Sequence, residues 1–276
     1  MHVDITARSS LCLIIGDPVS HSLSPSMHNA AYARTQLPFV MAGAHVRGQG
    51  LADALNGVRA LGIKGLAVTM PHKVAIMPLL DVIDSVAQTI GAVNTVVNTD
   101  GTLTGFNTDW LGILRPLERS IDLKGRTVAL LGAGGAAQAA LFACTSQGAS
   151  VTVFNRSVKK ASVIAEKFGS SVRPLDTAND LSPFDIIINT TSVGMAPDVE
   201  LSPVPESALR KHHIVFETIY APNVTKLLKL SQNVGAHTIT GLEMFLEQGL
   251  AQFQLHTGVK APRDEMEKIL RNALGA

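Results

Sequence analysis

The run Thr127-Val128-Ala129-Leu130-Leu131, followed by Gly132-Ala133-Gly134-Gly135-Ala136-Ala137 and then by the helix-compatible stretch Gln138 to Ser146, constrains this chain more than any other feature. A short apolar strand that turns through glycines into a helix opens a βαβ unit. The glycines let backbone approach a pyrophosphate with no Cβ in the way, and the helix start offers unpaired N–H groups and the positive end of its dipole. Ala137 occupies the third small-residue position, an allowed variant. The segment from Thr127 to Asn155 carries no Asp, Glu, Lys or Arg and is long enough to span a bilayer. Its glycines, together with Gln138, Thr145, Ser146 and Gln147, favour a buried strand and its covering helix instead, so no membrane partner is expected.

The strand Val151 to Phe154 ends at Asn155-Arg156-Ser157, and Asn155 stands 23 residues beyond Gly132. That position selects the cofactor. An acidic residue there would bond the ribose 2′-hydroxyl of NAD and repel a 2′-phosphate, whereas Arg156, Ser157, Lys159 and Lys160 offer charge and donors to a phosphate. Cations at a helix start oppose the macrodipole, which a bound anion would relieve. NADP is therefore favoured over NAD.

Apolar residues alternate between strand and helix spacing along the whole chain of 276 residues. Leu11 to Ile15, Phe39 to Val46 and Ile63 to Thr69 read as strands, with helical spacing through Leu51, Leu55, Val58 and Leu61 between the last two. Val93 to Val97, a turn at Asn98 to Gly101, and Thr102 to Phe106 read as a hairpin at the sheet edge. A second set begins at Arg126 and continues with strands near Val151 to Phe154, Asp185 to Asn189 and Ile214 to Thr218. Helices from Leu242 to Thr257 and from Pro262 to Leu274 close the chain. The fold class read from this order is α/β with two domains: an N-terminal, mostly parallel α/β domain over residues 1–107 and a Rossmann-type domain over residues 108–241.

Charge bounds the partners. Lys plus Arg number 23 and Asp plus Glu 22, leaving a formal charge of +1, so no basic field exists to hold nucleic acid or anionic lipid. Small molecules are the expected partners. Cys12 and Cys144 lack any CxxC spacing, and the nine histidines form no HExxH or Cys/His cluster, so neither a disulfide framework nor a metal is expected. The opening residues lack the apolar core of a signal peptide, and a reducing cytoplasmic setting fits best.

Three further segments carry chemistry. Ser20-His21-Ser22-Leu23-Ser24-Pro25 follows the first strand, with Ser24 read as helix N-cap and Pro25 at N1. Two serines beside a helix start suit a carboxylate, although a cap alone explains one of them. Lys73, in Thr69-Met70-Pro71-His72-Lys73, emerges from the carboxyl end of a strand, the edge where open α/β sheets bind ligands. Asn94 is an amide in an otherwise apolar strand and requires partners if buried. Asp109 lies where the two domains meet in sequence, a common place for ligands.

Taken in order, Ser22-Leu23-Ser24-Pro25, Val68 to Lys73, Gly91-Ala92-Val93-Asn94-Thr95, Asn107-Thr108-Asp109, Gly132 to Ala136, Asn155-Arg156-Ser157, Asn189 to Met195, Tyr220-Ala221-Pro222 and Gly241 through Gln248 resemble the shikimate dehydrogenase family from Leu11 to about Leu274. The resemblance implies an NADP-dependent oxidoreductase that interconverts 3-dehydroshikimate and shikimate on the route to chorismate and the aromatic amino acids. It implies that Ser22, Ser24 and Tyr220 hold the substrate carboxylate, and that Thr69, Lys73, Asn94, Asp109 and Gln248 hold the ring hydroxyls. Cofactor contacts are implied for Gly132, Ala133, Gly134, Gly135, Ala136, Asn155, Arg156, Ser157, Lys160, Thr218 and Gly241, and the closing helices (242–276) are implied to join the first domain. Lys73 is expected to act as acid and base, with Asp109 keeping it protonated and in register, and His72 as the rival proton donor. A monomer or homodimer is expected. Ala67, Trp110, Glu217 and Ser157 depart from the residues common in the family, respectively Asn, Gly, Asp and Thr. A quinate or quinate/shikimate dehydrogenase using NAD(P) is the enzymatic alternative, and a non-catalytic NADP-binding regulator the alternative of another class.

Overall fold

A computed structural model describes residues 5–275. The chain divides into two compact units, one comprising the described residues up to Thr108 together with Gln248–Ala273, the other Asp109–Glu247.

The first unit is built on a six-stranded mixed sheet. Its elements in chain order are β1 (Ser10–Gly16), α1 (Ser24–Thr35), β2 (Phe39–His45), α2 (Leu51–Ala60), β3 (Gly65–Val68), the short α3 (His72–Ala75), β4 (Val82–Ile83), α4 (Ser85–Ile90), β5 (Thr95–Thr99) and β6 (Thr102–Phe106). The sheet order is β2-β1-β3-β5-β6-β4, with β1 parallel to both β2 and β3. The chain moves from β1 outward to β2 and then returns across β1 to β3, which makes the β1/β3 boundary a topological switch point. Helix α2 turns Leu51, Leu55 and Val58 onto the sheet, where they join Ile15, Leu66, Val68, Val96 and Leu103.

Two expectations are corrected. The hairpin β5–β6 is not at the edge, because the two-residue strand β4 pairs parallel with β6 and takes the outer position. No apolar pattern announces a strand of two residues. The hairpin turn itself is as read: Asp100 and Gly101 have φ of 50° and 90°, the left-handed pair that a two-residue turn of matching twist requires. Strand β5 also starts at Thr95 rather than Val93, so Asn94 precedes the strand.

The second unit contains α5 (Asp109–Glu118), β7 (Thr127–Leu131), α6 (Gly135–Ser146), β8 (Ser150–Asn155), α7 (Val158–Glu166), β9 (Ser171–Pro174), β10 (Ile186–Asn189), β11 (Ile214–Glu217), α8 (Lys226–Asn233) and β12 (His237–Ile239). All six strands are parallel, in the order β12-β11-β10-β7-β8-β9. This is the doubly wound dinucleotide-fold order, with its switch point between β7 and β10. Strands β10 and β11 are buried at every residue, as a sheet covered on both faces demands.

Helix α9 (Gly241–Thr257) starts in the second unit and passes into the first at Gln248; α10 (Arg263–Leu274) follows, burying Met266 and Leu270. Within the first unit α9 packs on α1 so closely that a Cβ on Gly249 would collide with the Met27 side chain. Likewise, a Cβ on Gly65 of β3 would stand 2.6 Å from His256 Nε2. Among the described residues no helix is long and apolar enough to cross a membrane, and no group of three or more His, Cys, Asp or Glu is placed to hold a metal ion. Cys12 and Cys144 are both buried and unpaired, and burial raises each thiol to about 12.

The first unit holds two buried histidines that set an acid limit. His28 in α1 packs beside the rings of Tyr32 and Phe253, at centroid distances of 6.0 and 6.3 Å, and neither of its ring nitrogens has a hydrogen-bond partner. Burial, followed by the proximity of His256, lowers His28 to about 3; burial lowers His256 to about 4. Both are neutral in the native state, so the unfolded chain binds protons first as pH falls below about 6.5. Their contribution is constant above that pH and is lost progressively below it, down to about 4 for His256 and about 3 for His28. His28→Leu removes a buried group that makes no hydrogen bond. Thermal melts should therefore show a smaller loss of Tm for the variant than for the wild type between pH 6.5 and 4, with little difference at pH 8.

Candidate functional site

In the first unit the sequence-selected residues gather at the carboxyl ends of β1 and β3. A Cβ on Gly16, the last residue of β1, would overlap the Thr69 side chain. Thr69 N–H donates to the Ile15 carbonyl at 3.0 Å and Asp17 N–H to the Met70 carbonyl at 3.0 Å, fastening the two loops together. The loop after β1 then turns back, with Ser22 N–H on the Val19 carbonyl at 3.0 Å and Ser24 N–H on Ser22 Oγ at 3.2 Å. Leu23, not Ser24, is the N-cap of α1; Ser24 is its first residue and makes no capping bond, so that hydroxyl is left for another role.

Lys73 sits in α3, immediately after the β3 loop, and its carbonyl accepts from Val93 N–H at 2.8 Å. This bond brings the lysine backbone beside Asn94. Asn94 is buried, as its amide requires: Nδ2 donates to Thr108 Oγ1 at 2.9 Å, and Oδ1 accepts from Thr108 N–H at 2.7 Å and Thr95 Oγ1 at 2.8 Å. Asn107 Nδ2 donates to the Ala92 carbonyl at 2.8 Å. Two amides thus fix the chain just before Asp109. Gln252 Nε2 reaches the Asn94 carbonyl at 3.2 Å and Thr95 Oγ1 at 2.9 Å, and Gln248, four residues earlier in α9, shares that helical face. The sequence reading missed Gln252, Thr108 and Asn107 as supports; the four-residue spacing from Gln248 was the visible signal for the first.

His72 is not placed to rival Lys73. It is 1% exposed and its Nε2 donates to the Val46 carbonyl at 2.6 Å, so the ring fastens α3 to the loop after β2.

In the second unit, Asp109 opens α5 and is buried at that helix start. Trp110 packs edge-on against Phe142 of α6 at 5.4 Å, which gives the large ring at this position an internal partner. The glycine turn lies at the switch point. Gly132 has φ +111°, and a Cβ there would stand 2.6 Å from Thr190 Oγ1, whose hydroxyl donates to the Leu131 carbonyl at 2.7 Å. Close passage of the β10 loop therefore demands this glycine. Gly134 is different: it caps α6 at φ −94°, ψ −168°, ordinary extended backbone, and a Cβ would meet nothing within 4 Å. Internal packing gives no reason for glycine there, whereas a phosphate seated on the helix start does. With Gly135 and Ala136 opening α6 and Ala133 buried beneath the turn, small residues and free N–H groups face that position.

Past β8, Asn155 Nδ2 donates to the Ser157 carbonyl at 2.9 Å, and Ser157 Oγ caps α7 by accepting from Lys160 N–H at 3.3 Å. The cap uses the hydroxyl as an acceptor and leaves its proton to donate. Arg156, Lys159 and Lys160 are exposed, and among the described residues no acidic side chain pairs with them.

The loops after β10 and β11 share one buried network. Glu217 is fully buried; its two carboxylate oxygens accept from Asn189 Nδ2 at 3.0 and 3.1 Å, one of them also from Ile219 N–H at 3.1 Å and the other from Thr225 Oγ1 at 2.9 Å. Burial raises its carboxyl to about 7 against the opposing pull of these donors. Asn189 Oδ1 in turn accepts from Thr191 N–H at 3.0 Å and Thr191 Oγ1 at 2.7 Å. Thr218 N–H and Oγ1 both donate to the Asn189 carbonyl, at 3.1 and 2.8 Å. Tyr220 lies 4.5 Å from the Phe245 ring, and burial raises its phenol. A Cβ on Gly241 would run into the Ile219 carbonyl, so α9 begins directly against the Thr218–Tyr220 turn.

The parallel sheet, the glycine turn at its switch point and the cationic start of α7 define a Rossmann-type dinucleotide-binding protein that carries a second α/β unit. Residues 14–96 match the shikimate dehydrogenase substrate binding domain, residues 116–244 the shikimate / quinate 5-dehydrogenase domain, and residues 241–271 the shikimate 5′-dehydrogenase C-terminal domain. The chain is 41% identical to a shikimate dehydrogenase (NADP(+)) of Moorella thermoacetica, over 99% of this chain and 97% of that one. A crystal structure of a shikimate dehydrogenase in complex with NADP+ superposes with a TM-score of 0.95 at 37% identity, covering 99% of each chain. The Thermus thermophilus shikimate 5-dehydrogenase in complex with NADP(H) and shikimate gives 0.89 at 36% identity, over 96% of this chain and all of that one. The chain belongs to the shikimate dehydrogenase family.

Proposed function

We propose that this protein catalyses the reversible NADPH-dependent reduction of 3-dehydroshikimate to shikimate. The single observation that carries the reading is the pairing of a glycine without internal cause, Gly134, with an uncompensated cation set at Arg156, Lys159 and Lys160, in a member of this family. The residues present fit the cofactor: Gly132 to Ala136 and the start of α6 would hold its pyrophosphate, Asn155 to Ser157 and Lys160 its 2′-phosphate, and the Thr218 backbone with Gly241 would border its nicotinamide. Bound NADPH supplies the hydride.

The chain's own residues bind, orient and protonate. Ser22, Ser24 and Tyr220 hold the carboxylate. Thr69, Asn94, Asp109 and Gln248 hold the ring hydroxyls, for which their hydroxyl, amide and carboxylate groups supply donors and acceptors. Lys73 donates a proton to the carbonyl oxygen as negative charge develops on it, and in the reverse direction takes the hydroxyl proton.

Oxidation of shikimate and of quinate, each with NADP and with NAD, tests the reading. Shikimate with NADP should give the highest kcat/KM of the four. A clear preference for quinate would move the assignment to the other activity named in the family, and no reduced nucleotide with any pair would leave a binding protein.

A further inference from the structure

The Glu217 network has no role in the reaction as described, yet it sits under the turn that the reaction uses. Three donors from three segments make four contacts with one carboxylate: Asn189 at the end of β10, Ile219 in the turn after β11, and Thr225 at the start of α8. An apolar side chain would fill the same space if packing alone were needed, and a buried carboxylate is costly unless its donors are fixed. The same turn is held from its other side by the close approach of Gly241 and by the Tyr220–Phe245 contact. Its geometry is therefore set by several independent constraints, and Glu217 is the one that also grips the loop after β10.

We infer that Glu217 is a positioning residue, clamping the Thr218–Tyr220 turn to the Asn189–Thr191 loop and to α8 so that the turn presents its backbone and the Tyr220 phenol in reactive register. This rests on the shikimate dehydrogenase reading, because that reading places nicotinamide and substrate carboxylate against the turn. The Glu217 side chain reaches Asn189, Thr225 and Ile219 N–H together.

Glu217→Gln tests it. The amide keeps the shape but turns one acceptor oxygen into a donor that faces other donors. Small displacements of a positioned group cost up to about 100-fold in rate, so kcat/KM for shikimate should fall about 10- to 100-fold at pH 8, with part of the loss in kcat. Adenosine 2′,5′-bisphosphate, which occupies only the phosphate end of the cofactor site, should bind with unchanged Kd. Glu217→Asp should recover part of the loss. Should Glu217→Gln not fold, Thr225→Val removes one donor, with Thr225→Ser as the control that retains both hydroxyl and cap; the valine variant should lose kcat/KM and the serine variant should not. Wild-type kinetics in the folded variant, or an equal loss of bisphosphate affinity, would overturn the inference. An inactive wild-type protein would instead overturn the reading beneath it.

Discussion

Lys73→Met is expected to lower kcat for shikimate oxidation by about 10²- to 10⁴-fold and to leave the Kd for NADP close to the wild-type value. The size is that of a positioned proton-transfer group, and methionine keeps the apolar stem while removing the ammonium. The selectivity follows from the fold: Lys73 stands at the carboxyl edge of the first unit's sheet, and the residues assigned to the cofactor belong to the second unit. A loss confined to KM would assign Lys73 to uniform binding rather than to the chemical step. His72→Asn separates the neighbouring ring from this role. It removes the bond to the Val46 carbonyl and should lower Tm far more than it lowers kcat in the folded fraction.

Arg156→Ala is expected to raise the KM for NADP by about 10- to 100-fold and to change that for NAD little. A charge-assisted hydrogen bond to a phosphate contributes about 1.5–3 kcal/mol, and each 1.4 kcal/mol is tenfold in affinity. NAD lacks the 2′-phosphate and so loses nothing comparable. Because Arg156 is exposed, the wild-type preference for NADP should also weaken as salt is added, and that of the variant, which keeps Lys160, should weaken less. Steady-state rates with both nucleotides at saturating shikimate, at two ionic strengths, measure both effects.

What the sequence made legible follows from how local each signal is. The turn at Gly132 is visible because the glycines, the preceding strand and the following helix are contiguous, and the two φ-positive residues of the β5–β6 turn are visible for the same reason. Lys73 and Asn94 are visible as types out of place but not as neighbours. The bond that joins them runs from Val93 N–H to the Lys73 carbonyl, and backbone pairing across 20 residues leaves no mark on composition. The edge strand β4 was missed because two residues carry no period. Glu217 was noticed only as a departure from the family, since a lone carboxylate at a strand end reads as solvated until Asn189 and Thr225 are seen to meet it. Gly132 and Gly134 look alike in sequence; only the structure shows that Thr190 requires the first and that nothing among the described residues requires the second.

The proton-transfer claim is tested most directly by the distance from Lys73 Nζ to the oxygens of shikimate in a crystal structure of the ternary complex with NADP. The account predicts that nitrogen within about 3.2 Å of the carbinol oxygen undergoing oxidation, or bridged to it by one water. A well-ordered complex in which Lys73 reaches no oxygen of the ring, directly or through water, would contradict it.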